Sequence, residues 1–110
     1  MKTAILTDEQ LWAAYAAGDE DAFTELVARY RDMLGRYLTA KGLQAADAED
    51  VVQSTFAQLV AHPPDSGQLI RPCLFTIADR LGRDVLAADR QAARMLATPE
   101  AEVMAEVYQR

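Results

Sequence analysis

Apolar residues recur every three or four positions along most of this chain, and there is little alternation. That period marks helices with one buried face. Its longest run is Phe23, Leu26, Val27, Tyr30, Leu34, Tyr37 and Leu38. Asp19 stands ahead of the run as an N-cap, with Glu20 and Asp21 in the first turn, where the helix dipole favours negative charge. Lys41 in the last turn and Gly42 just beyond make an ordinary helix stop. Upstream, Thr7 and Gln10 have the spacing of a capping box. The short helix they open carries Leu11, Trp12 and Tyr15 and is expected to end at Ala17, before Gly18.

The second half predicts two further helices. Asp47 is the expected N-cap of the third, with Glu49 and Asp50 completing its first turn. Ala48, Val51, Val52, Thr55, Phe56, Leu59 and Val60 form its expected inner face. "HPPDSGQ", residues 62–68, is the clearest loop. A fourth helix is expected from Arg71 or Pro72 to about Leu96, with Ile70, Leu74, Ile77, Leu81, Val85 and Ala88 on one stripe. Thr98 then reads as an N-cap and Pro99 as the first position of a fifth, short segment ending at Arg110. The expected architecture is all-α: a three-helix-core bundle with a short N-terminal helix and a C-terminal helical tail. Residues 1–96 form the domain, and 97–110 form the tail or the start of a linker.

Charge narrows the function. The chain carries 11 Lys and Arg against 17 Asp and Glu, a net −6. An acidic chain is a poor generic ligand for nucleic acid, since phosphate binding needs cations to displace counterions. Only residues 54–97 escape the acidic excess, so any DNA contact must come from a patch there. Cys73 is the single cysteine, which rules out an intrachain disulfide, and its neighbours Leu74, Phe75 and Ile77 suggest a buried thiol. No apolar run approaches the ~18 residues of a membrane span. The opening "MKTAILTDEQ" turns polar too early for a secretory signal. A cytoplasmic protein is expected.

The stretch "DAEDVVQSTF", residues 47–56, concentrates carboxylates ahead of an apolar stripe. Among Asp47, Glu49 and Asp50, only the first and last share a helical face, and His62 lies at the far end of the helix. The Glu-x-x-His pattern of bundle metal sites is absent, so no metal or cofactor is expected. One histidine, one cysteine and no glycine-rich loop argue against an enzyme or a small-molecule substrate. Two readings stand. Acids in a first turn stabilise the helix through its dipole, by about 0.3–1 kcal/mol each. Alternatively Asp50, Gln53, Ser54 and Ala57, three and four apart, make an exposed strip on which a basic helix of a partner could dock.

"GDEDAFTELVARY" followed by "DAEDVVQSTFAQLV" resembles the second conserved region of bacterial sigma factors, in particular the extracytoplasmic-function (ECF) group. The resemblance spans about residues 8–94. It implies that the third helix docks on the clamp coiled coil of the largest subunit of core RNA polymerase. Residue by residue, Asp50 and Gln53 carry that role, with Glu49 and Ser54 beside them. Family members often have an acid where Ser54 stands, and Phe56 is expected in the core. The resemblance also implies that the loop and the fourth helix contact promoter DNA near the start site.

That helix departs from the family pattern. The usual tryptophan is Cys73, the usual arginine is Asp79, the usual asparagine is Arg80, and the basic run after Asp84 has become Ala87, Ala88 and Asp89. Arg71, Arg80, Arg83 and Arg90 are the candidate DNA contacts, with Arg94 beyond them; Arg80, Arg83 and Arg90 are expected to share a face flanked by Asp79 and Asp89. An i, i+4 pair between Asp79 and Arg83 would make the same arginines an ordinary solvated face.

The depletion leaves two functions open: an initiation module that docks on polymerase and touches the promoter, or a sigma-fold adaptor or decoy that binds polymerase or an anti-sigma protein without reading DNA. A third possibility is self-association through Trp12, Tyr15 and Tyr108 at the surface, although Trp12 could equally pack in the core. The tail "ATPEAEVMAEVYQR" resembles the start of an interdomain linker, so the chain is expected to be either the N-terminal domain of a longer, two-domain protein or a protein that naturally lacks the second sigma domain.

Overall fold

The computed structural model describes the backbone of residues 5–109 and the side chains of residues 5–95. Its elements are α1 (Asp8–Ala16), α2 (Glu20–Ala40), α3 (Ala45–Ala61) and α4 (Ile70–Gln109), with no strand among the described residues. The architecture is the all-α bundle expected. Tyr108, offered as a surface contributor, and Arg110 fall outside the described side chains.

Local chemistry explains most boundaries. Thr7 caps α1 as a full capping box: its hydroxyl accepts from the Gln10 N–H at 3.1 Å and the Gln10 side chain accepts from its own N–H at 2.8 Å. The helix ends with Gly18 at φ +111°, a left-handed residue that lets Asp19 N–H reach back to Ala14 O at 3.0 Å. Asp19 also caps α2, accepting from Asp21 N–H at 3.1 Å. Gly42, at φ +114°, does the same for the other end of α2, where Leu43 N–H reaches Leu38 O at 3.2 Å.

The core draws on all four helices. Leu11, Leu26, Leu34, Leu38, Leu59, Ile70 and Leu74 are each at most 2% exposed. Thr55, wholly buried on α3, spends its hydroxyl on Val51 O at 2.7 Å, so it leaves no unmet polar group. Phe56 is in the core as expected.

Six expectations need correction. α3 is capped by Gln44, not Asp47, and makes no side-chain cap bond; Asp47 is its third residue, still close to the positive end of the dipole. Glu49 and Asp50 therefore lie in the second turn. Val60 is exposed rather than inward, and so is Ala88. Tyr15 is half-buried instead of exposed and leads an aromatic chain through Phe23 to Phe56, at centroid separations of 4.7 and 6.1 Å, while Trp12 takes the core-packed of its two alternatives. Cys73 is only half-buried. α4 starts at Ile70, which makes Pro72 its third residue, where the missing N–H would have had no helical partner.

The sixth is the tail. α4 runs on through Pro99 to Gln109 as one helix instead of breaking at Thr98. Proline fixes φ near the helical value, and around it Ala, Met and Glu dominate with no glycine, so the backbone continues at the cost of one internal bond. From Ala87 to Met95 every side chain is exposed, so α4 leaves the bundle after Leu86.

Candidate functional site

The strip foreseen on α3 is formed. Glu49, Asp50, Gln53, Ser54 and Ala57 are all exposed, while Ala48, Val51, Val52, Thr55 and Phe56 on the other side of the same helix are buried. The physical reason is periodicity: residues 50, 53, 54 and 57 return to one face of a 3.6-residue helix whose opposite face is packed on α2 and α4.

The strip borders a groove that the sequence pattern did not reveal. Glu49 and Gln53 line an open depression of about 690 Å³ between α2 and α3, facing Val27, Arg31, Asp32 and Arg36. Gln53 also lines a second depression of about 490 Å³ farther along, with Phe23, Phe56, Ala57 and Val60. Val27, Arg31, Val52 and Gln53 belong to both, so the two form one channel with an apolar floor and polar walls. The exposure of Val60 is explained here, because it edges that floor. α2 thus supplies Arg31 and Arg36 opposite Glu49, with Asp32 beside Arg31 at 4.0 Å, a wall that sequence reasoning missed. The only hint was that Phe23 and Val27 widen the apolar arc of α2 beyond a single stripe.

A second surface lies at the other end of α3. The loop and the start of α4 enclose an open groove of about 590 Å³, lined by residues that include Leu59, His62, Pro63, Leu69, Cys73 and Thr76. Leu69 is 59% exposed at its edge.

The four candidate arginines are placed as follows. Arg71 stands over the Phe75 ring, 5.7 Å from its centroid. Arg80 donates to the Gln58 side chain of α3. Arg83 pairs with Asp79 at 2.6 Å, one turn away, and Asp79 also accepts from the Tyr37 hydroxyl at 3.1 Å. Arg90 is exposed on the projecting part of α4. Arg83 and Arg90, seven residues apart, share a face; Arg80 is turned about 60° from Arg83 toward α3. Arg80 and Arg83 are therefore engaged with polar side chains of the protein, and Arg71 with an aromatic ring.

One titratable group is displaced. Tyr30 is buried, and burial together with the Asp8 carboxylate that accepts a hydrogen bond from its hydroxyl pushes it up to about 12, against the pull of nearby Arg71. Among the described residues no group of three or more His, Cys, Asp or Glu gathers as a metal site, and no helix is long and apolar enough to cross a membrane.

The chain is similar to the RNA polymerase sigma factor NccH of Alcaligenes xylosoxydans xylosoxydans, with 38% identity over 80 residues. That likeness supports a sigma-factor region. It covers 71% of this chain and 43% of the relative, so the chain matches less than half of that protein's length. No family model matches the chain. No solved structure matches it either.

Proposed function

We propose that this chain is a sigma-factor-like module of the ECF type. It docks on core RNA polymerase through Glu49, Asp50, Gln53 and Ser54 and contacts promoter DNA near the start site through the loop at 62–72 and α4. The observation that carries the docking half is the α3 strip: carboxylate and amide groups exposed together, beside a channel with an apolar floor and Arg31 and Arg36 on its far wall. A helix pair such as the polymerase clamp coiled coil suits that shape. Its apolar side lies in the channel, its cations meet Glu49 and Asp50, and its acids meet Arg31 and Arg36. An anti-sigma protein covering the same channel would compete for it.

The DNA half rests on the loop groove and on Arg71 and Arg90: Arg71 is exposed though held over Phe75, whereas Arg80 and Arg83 already have polar side-chain partners. That engagement is the specific observation that favours the second reading, an adaptor that binds polymerase without reading DNA.

The test is binding of purified core polymerase to the wild-type chain and to the double variant Asp50→Arg with Gln53→Ala. Reversing a charge at a docking face costs about 2 kcal/mol or more, roughly thirtyfold in affinity. Equal binding by a folded double variant refutes the docking face. Footprinting of the bound complex on promoter-bubble DNA then separates the two readings: protection supports the initiation module, and none supports the adaptor.

A further inference from the structure

Among the described residues, no side chain of the preceding loop caps α4. The polar groups of that loop close on each other: Asp65 N–H donates to Gln68 Oε1 at 2.7 Å, and Gln68 N–H to Asp65 O at 3.0 Å. The first amide of α4, that of Ile70, is a donor with no partner inside the helix, and Ile70 is 1% exposed. Its acceptor is Glu9 Oε2 at 2.9 Å, on a residue 61 positions earlier in the chain. The neighbouring acid, Asp8, pairs with Arg29 at 3.1 Å and accepts from the Tyr30 hydroxyl. The two first-turn acids of α1 therefore do different work: one grips the middle of α2, the other holds the first residue of α4. Arg71, next in α4, also faces Tyr30.

We infer that Glu9 is a positioning residue for the loop–α4 junction, with α1 acting as a brace that sets the groove beside it. The groove is walled by the end of α3 (Leu59, His62) on one side and the first turns of α4 (Cys73, Thr76) on the other. A shift of Ile70 changes the gap between those walls and moves Arg71 with it. Glu9 itself touches no nucleic acid. This rests on the reading of that groove and Arg71 as the DNA-facing surface, and the experiment below tests the brace and that reading separately.

The brace is read from amide exchange at Ile70 in the full chain, for wild type, Glu9→Ala and Glu9→Gln. Losing a bond to a charged acceptor should raise exchange in Glu9→Ala roughly tenfold or more, and Glu9→Gln, which keeps an acceptor, should recover most of the protection. Unchanged exchange in Glu9→Ala overturns the brace, whatever the chain binds. The positioning role is read from promoter-bubble DNA affinity in complex with core polymerase. Glu9→Ala should bind DNA several-fold more weakly, with its salt dependence and its affinity for core polymerase unchanged, and Glu9→Gln should restore DNA binding. Wild-type affinity in Glu9→Ala despite faster exchange overturns the positioning role. Failure of the wild-type complex to bind DNA overturns both that role and the DNA reading, and leaves the exchange result to decide the brace.

Discussion

Asp79 holds Arg83 at 2.6 Å and accepts from Tyr37 as well, so the carboxylate on α4 partners a surface cation that would otherwise stand unpaired. Arg83 is 73% exposed and Asp79 26%, so the pair sits at the surface and contributes little to stability. Its consequence is for binding: a phosphate must compete with Asp79 for the guanidinium. Asp79→Asn should raise affinity for single-stranded promoter DNA several-fold at low salt. It should also steepen the salt dependence by up to about one counterion, since single strands release ~0.7 per phosphate contact. A titration series in potassium chloride measures both, and an unchanged slope would mean that Arg83 does not reach DNA.

Alkaline pH should loosen the junction of α1 and α2. The proton of Tyr30 is held more tightly in the folded chain, where its group titrates at about 12, than in the unfolded chain, at about 10. Between those values the native state binds more protons, so stability is intact below pH ~10 and falls as pH rises toward ~12. Tyr30→Phe should lower stability near neutral pH by about 1 kcal/mol, the worth of one hydrogen bond, and should flatten this alkaline slope. Thermal melts from pH 8 to 11.5 for both proteins give the difference.

The crossing of α2 and α4 depends on a missing side chain. A Cβ at Gly82 would stand 2.8 Å from Leu38 Cδ2, and Leu38 is 1% exposed. Gly82→Ala gains about 1 kcal/mol of helix propensity but overpacks this contact by about 1–3 kcal/mol. The expected net loss is about 1 kcal/mol, a drop of roughly 4–8 °C in Tm. In a Leu38→Ala background the same substitution should stabilise, because the opposing methyl is gone. Denaturant melts of the four proteins in that double-mutant cycle test the contact directly.

Cys73, half-buried in the wall of the loop groove, offers a separate probe of that surface. Alkylation of this single thiol with a bulky maleimide should weaken bubble-DNA binding by tenfold or more. Affinity for core polymerase should stay unchanged, since the α2–α3 channel is on other residues. Equal loss of both would mean the label has unfolded α4, which circular dichroism would show.

The local grammar of this chain is legible without coordinates. The capping box of Thr7 and Gln10, the double role of Gly18 and Asp19, the stop at Gly42, and the buried row Leu26, Tyr30, Leu34 and Leu38 all follow from residues within a turn or two of each other. So does the exposed strip of Asp50, Gln53 and Ser54, because a helix returns to the same face every 3.6 residues. Boundaries erred where local signals were overridden. Asp47 is the better cap by composition, yet Gln44 took the position without a side-chain cap bond. Pro99 looked like a start but was carried within a longer helix.

What the sequence by itself determined, then, was helix identity, most caps and the outward face of α3, all of which depend on neighbours three or four residues apart. Tertiary structure alone decided the pairings between distant segments: Glu9 on Ile70, Arg80 on Gln58, Tyr37 on Asp79, Gly82 against Leu38, and the channel walled by Arg31 and Arg36. These depend on how the helices cross and rotate about their own axes. Side-chain packing sets that geometry over the whole core, and no short stretch of sequence encodes it.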